Sequence, residues 1–111
     1  MKLKIQMEIE VTQDDIDCII EMAGYGIGYW VDEAIVKEDC YKIHEDEFDR
    51  WHELSNEDIL RGVKLYIENG NTPYNILTFV DDETVLETGM IDSDVADMII
   101  QYACFGEIIY G

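Results

Sequence analysis

Basic residues are scarce in this chain. Of 111 residues only 7 are Lys or Arg, against 26 Asp or Glu, and the formal net charge at pH 7 is -19. An excess of that sign excludes direct attraction to nucleic acid or to an anionic membrane surface, and leaves basic macromolecules as the natural partners. Cysteines are few, an odd three at Cys18, Cys40 and Cys104 with no CxxC spacing. A disulfide framework is therefore not expected, and reduced thiols are the default. No apolar run approaches the roughly 18 residues of a membrane-spanning helix. The start MKLKIQMEIEV alternates in place of a signal-peptide core, which points to the cytoplasm. Catalytic signatures are missing too: there is no GxSxG, HExxH or P-loop, and Asp81-Asp82-Glu83 lacks the spacing and glycine of an EF-hand. We expect a binding protein rather than an enzyme.

What is present suits one folded body. The chain is 48% hydrophobic and 11% aromatic, and these residues are spread along its whole length, without repeats, low-complexity tracts or flexible linkers. The pattern predicts a single α+β domain, residues 1–111, with a small mixed or antiparallel sheet packed by about three helices. Lys2 to Val11 alternate as a half-buried strand whose edge could pair with another copy. Thr12 and Asp15 form a variant capping box for a helix that runs to Gly24. Ser55 and Asp58 open a second helix, stopped at Gly70, and Asp92 or Ser93 a third, ending at Gly106. Between them, residues 33 to 54 read as strands turning near Glu45 to Glu47. Asn71 to Asn75, with the sole proline Pro73, read as a loop, and Ile76 to Leu86 as a hairpin turning at Asp81 to Glu83. A terminal strand, Glu107 to Tyr110, is expected to share a sheet with the first. The glycines of GYGIGYW follow a helix and so read as a cap and turn, not a phosphate loop, with Tyr25, Ile27, Tyr29 and Trp30 anchoring that turn in the core.

Four blocks, VTQDDIDCII, GYGIGYW, GVKLYIENG and CFGEIIYG, resemble in sequence and order a family of small acidic proteins encoded by phages and integrated elements of Gram-positive bacteria. The chain departs from that family where Val31 follows the Tyr-Trp pair in place of Cys, and the stretch Glu38 to Leu54 is its own. None of the blocks is a catalytic motif. The resemblance implies a setting, the bacterial host cell, in which similar elements carry anti-CRISPR inhibitors. Many of those are small acidic proteins that occupy the nucleic-acid channels of Cas9-type nucleases.

Two constellations could carry function. The first is the carboxylates. No Lys or Arg follows Lys64, whereas Asp81, Asp82, Glu83 and Glu87 cluster there, and Glu45, Asp46, Glu47 and Asp49 form a second concentration. Duplex DNA carries one charge per roughly 1.7 Å, a density that closely spaced carboxylates can imitate. These eight residues are the expected contacts to a basic nucleic-acid-handling partner, most plausibly a Cas9-type nuclease. The second is Cys40, His44 and His52, whose spacings of four and eight residues put them on one face of either a strand or a helix. They are candidate ligands of a zinc ion, with Glu38, Glu53 or Cys104 as a fourth. On this alternative the chain is a small zinc-binding protein, structural or a metal-dependent hydrolase.

Overall fold

Each of the three helices begins at a residue whose side chain closes the first turn. In the computed structural model, which describes Met1 and residues 8–69 and 76–111, Thr12 caps α1 (Gln13–Gly26) and Ser55 caps α2 (Asn56–Glu68). Both are full capping boxes in which the cap's own N–H donates to the carboxylate of Asp15 or Asp58. Asp92 caps α3 (Ser93–Phe105) from its own Oδ1, 2.9 Å from the Val95 N–H. Acidic residues fill all three first turns, where the helix dipole favours them.

Six strands form two small sheets. β2 (Val31–Val36), β3 (Tyr41–Glu45) and β4 (Arg50–Leu54) make an antiparallel meander, and β1 (Ile9–Glu10), β6 (Glu83–Leu86) and β5 (Leu77–Val80) make a mixed sheet in that order. In the mixed sheet β1 runs parallel to β6 and β5 antiparallel to it. The single α+β domain of the sequence reading is thus the observed fold, its strands divided between two sheets.

α3 is the central element, packed on both α1 and α2. It carries the fully buried Val95, Ile99 and Ile100, and meets Ile19 of α1 and Ile59 of α2 in the core. Two glycines permit this closeness. A Cβ at Gly62 would run into the Ile99 carbonyl oxygen, and one at Gly26 into that of Ser93, so the helix backbones touch where a side chain would hold them apart. α3 stops at Gly106, whose φ of 74° is the left-handed conformation that glycine adopts without strain.

Some boundaries differ from expectation. α1 continues two residues past Gly24. Of the first strand only Ile9–Glu10 pairs among the described residues; the rest of the Lys2–Val11 reading, the Gly70 stop and the Asn71–Asn75 loop fall largely or wholly outside them. The terminal strand Glu107–Tyr110 does not form, and among the described residues this segment pairs with no strand. Its hydrogen bonds go to a side chain instead: Gln101 Oε1 accepts from the N–H groups of Ile109 (3.0 Å) and Tyr110 (2.8 Å), and Gln101 Nε2 donates to the Tyr110 carbonyl (3.0 Å). One buried amide supplies what a neighbouring strand would have supplied.

Candidate functional site

The three hairpin turns all end in acid. Glu38 and Asp39 join β2 to β3, closed by the Lys37 N–H donating to the Cys40 carbonyl at 2.9 Å. Asp46 to Asp49 join β3 to β4, and Asp81 with Asp82 join β5 to β6. The second turn is pinned by the Asp46 N–H donating to the Trp30 carbonyl, and Asp49 sits there at φ 50°. Asp81 and Asp82, at φ 50° and 64°, form a two-residue turn with both residues left-handed, the geometry that fits the twist of a tight hairpin.

Of the eight expected contact residues, seven face solvent: Asp46, Glu47, Asp49, Asp81, Asp82, Glu83 and Glu87. Glu45 does not. Its exposure is 0%, because the register pairs it with Arg50 on the sheet face that carries Ile43 toward the core. There its Oε1 accepts from Arg50 Nε (3.0 Å), Arg50 Nη2 (2.8 Å) and His52 Nε2 (3.0 Å), while the Tyr110 hydroxyl donates to Oε2. Burial pushes the Glu45 carboxyl upward, but the bonds from Tyr110, His52 and Arg50 outweigh it and hold the group below its ordinary value. Burial and the same carboxylate push the Tyr110 phenol up to about 12. Glu45 therefore fastens the C-terminal segment to the meander and is corrected here from a contact residue to an internal one.

A second carboxylate works alongside it. Asp97, 8% exposed, accepts from Trp30 Nε1 (2.8 Å) and Gln101 Nε2 (3.0 Å) at Oδ1, and from the Tyr29 hydroxyl (2.5 Å) at Oδ2. Desolvation and the Asp97 carboxylate raise the Tyr29 phenol to about 12. Trp30 stacks on Tyr110 at 5.2 Å and 11°, so the aromatic turn and the chain's end form one clasp. The turn divides its large apolar residues, with Trp30 and Ile27 buried and Tyr25 and Tyr29 exposed, where the sequence reading had placed all four in the core. Asp97 and Gln101 were missed as a pair. Their i, i+4 spacing within the apolar VADMIIQYACF was the available signal, since such a helix has no polar face to receive them.

The structure does not bring Cys40, His44 and His52 together. The turn at 46–49 reverses the chain, so a spacing of eight residues no longer implies one face. His52 pairs with Ile43 on the inner face, whereas His44 pairs with Trp51 on the outer one. His44 is held between two carboxylates, Nδ1 at 2.6 Å from Asp32 Oδ1 and Nε2 at 2.7 Å from Asp49 Oδ1, and these bonds raise its pKa above the ordinary 6.5. Cys40 lies half-buried just before β3. Burial, with the charges of Glu45 and Asp58 nearby, lifts the Cys104 thiol to about 12. Among the described residues no group of three His, Cys, Asp or Glu side chains is placed to hold a metal ion.

Most basic side chains of the described residues are already engaged. Lys42 pairs with Glu53, Arg50 with Glu45, Arg61 with Asp58 and Lys64 with Glu68. Among the described residues no buried side-chain nitrogen or oxygen lacks a partner, so the inner polar groups are mutually satisfied and the surplus charge is outside. No helix of the described residues is long and apolar enough to cross a membrane. No family model matches the chain, and neither a curated protein nor a solved structure matches it.

Proposed function

We propose that the protein is a binding protein that blocks a basic, nucleic-acid-handling partner, in the first instance a Cas9-type nuclease, by presenting its hairpin-turn carboxylates to surfaces that otherwise hold RNA or DNA. The observation that carries this reading is the exposed acid at all three hairpin turns, beside basic side chains that mostly already hold a carboxylate. The density is of the right order. The molecule is 45 Å in its longest extent and carries a net charge of -19, and duplex DNA of that length carries about 26 charges. Solubility alone asks for a net charge of only about 2 to 8.

A basic groove that releases counterions on binding this surface gains affinity that falls steeply with salt. The test is a titration of purified Cas9-type nuclease at about 50 and 200 mM salt. A mole-for-mole endpoint at low salt, competition with guide or target, and loss of inhibition at high salt are the expected results. Amide replacement of Asp46, Glu47 and Asp49, or of Asp81, Asp82, Glu83 and Glu87, should weaken inhibition while the fold is kept. Glu45 is left intact because it is internal. No inhibition, or inhibition indifferent to salt and to both sets, overturns the reading.

A further inference from the structure

We propose that the free edge of β2 is a docking strand for an extended segment of alternating cationic and apolar residues, which adds to the meander as a fourth strand. This deepens the reading above and rests on it for the sign of the partner's charge. β2 is six residues long and, among the described residues, is paired on one side only, with β3. In an antiparallel strand about half of the backbone N–H and C=O groups point away from the partner, and at an edge they stand ready for another chain. Proteins blunt such edges with proline, lysine, short length or inward charge. β2 contains neither proline nor lysine, and its one irregularity, a bulge at Asp32, lies at its start and leaves Glu33 to Val36 in regular register.

The two faces of the edge differ, and the difference selects the occupant. Ala34 and Val36 stand opposite Ile43 and Tyr41, on the face those two carry into the core, yet Ala34 is exposed and Val36 is 67% exposed. The sheet overhangs its helices by one strand, and an added strand with small apolar side chains on this side would extend the core face. Glu33 and Ile35 stand opposite His44 and Lys42 on the outer face. Asp32 and Glu33, with Glu38 and Asp39 in the turn beyond, outnumber Lys37 and the Lys42 that Glu53 already holds, so the edge favours cationic side chains. A second copy of the chain is disfavoured, since it would bring -19 against -19 and set like charges across the new pairing. The acid protects the edge against self-association while leaving it open to a basic strand.

The probe is a blocked, fluorescent Lys-Val repeat of about eight residues, enough to span β2, measured by polarisation at low salt. Three comparisons decide the matter. N-methylation of alternate residues, set in both phases, removes backbone donors without changing charge, and one phase should weaken binding at least about tenfold. Ile35→Lys and Val36→Lys, at exposed positions, should each weaken it comparably, with unchanged circular dichroism. Amides along β2 that face away from β3 should gain hydrogen-exchange protection when the peptide binds. If the N-methylated peptides bind as well as the parent and Ile35→Lys has no effect, attraction is by charge alone, and the docking strand falls while the acidic-surface reading stands. If the protein sediments as a dimer that Val36→Lys dissociates, the edge belongs to a second copy and the proposal falls. If the peptide does not bind, the docking strand fails on its own account, and the nuclease titration still decides the function.

Discussion

Asp97 and Asp81 contribute equally to the formal charge and oppositely to the molecule. Asp97 lies in the clasp between Trp30, Tyr29 and Gln101, where its oxygens meet three donors. Asp81 stands at a hairpin tip, exposed, with its backbone at φ 50°. In the clasp the carboxylate is the acceptor of the buried Trp30 N–H and shares the Tyr29 and Gln101 donors with the Tyr110 carbonyl, so its removal strands the indole. At the tip it is solvated by water, strains the turn slightly, and is available to a partner. A net charge therefore does not tell what each carboxylate is for; burial and the supply of donors decide it.

The largest expected effect tests the clasp. Asp97→Ala leaves the buried Trp30 N–H without an acceptor and takes one acceptor from the Gln101 amide, which keeps the Tyr110 carbonyl; a bond to a charged group contributes about 1.5–3 kcal/mol, so we expect a loss of about 2–4 kcal/mol in urea unfolding. Asp97→Asn keeps an acceptor at Oδ1 and should lose well under half as much. Asp81→Ala should stay within about 1 kcal/mol of the parent. Equal losses at Asp97 and Asp81 would erase the distinction between the two regions.

Much of the fold was legible because its signals are local. Thr12 with Asp15 and Ser55 with Asp58 announce helix starts through hydrogen bonds that span three residues, and the structure contains both boxes. Strands within 33–54 were likewise readable, with a turn expected near Glu45 to Glu47 and found at Asp46 to Asp49. The clasp was not. The contacts that close it span 65 residues or more, as in Tyr110 with Glu45 and Tyr29 with Asp97, and no window of sequence contains them. The terminal segment looked like a strand because IIY has strand character, but that preference records a fit to a half-buried surface and does not specify the partner. The candidate site was readable in its exposed part, since turns are where acid is expected to be solvated. It failed at Glu45, the last residue of β3 before the turn, where one position's shift in register separates a solvent-facing from an inward-facing carboxylate.

A smaller effect, of opposite sign, tests the tip. A two-residue hairpin with both residues left-handed favours Asn-Gly, and Asp81 and Asp82 hold that conformation without glycine's freedom. Replacing the pair by Asn-Gly should raise stability by about 0.5–1 kcal/mol while removing two carboxylates from the proposed contact surface. Greater stability with weaker inhibition of the nuclease would show that strain and charge are kept at the tip for a partner. Greater stability with unchanged inhibition would exclude this tip from the contact.

The smallest effect lies at the boundary between the regions, where His44 joins the exposed turn to the sheet. As an imidazolium it donates from both ring nitrogens, to Asp32 and to Asp49; as a neutral ring it has one N–H and can satisfy only one of them. Because the folded-state pKa is raised above 6.5, His44 contributes stability that is fully present below pH 6.5 and is lost as pH rises through the raised value. Asp32 acts in the other direction. The bond from His44 holds its carboxyl below 3.8, so its contribution is present above that value and fades as pH falls through the lowered one. The parent's stability minus that of His44→Gln should therefore be flat from mildly acidic pH to 6.5 and decline above it, by a small amount because both carboxylates are open to solvent and salt. Glu45, held inside and below its ordinary pKa, is charged throughout that range and cannot produce the decline. Parallel curves for the two proteins across neutral pH would mean that His44 does not hold the turn, and would leave the Asp46–Asp49 carboxylates without an internal anchor beyond the Trp30 carbonyl.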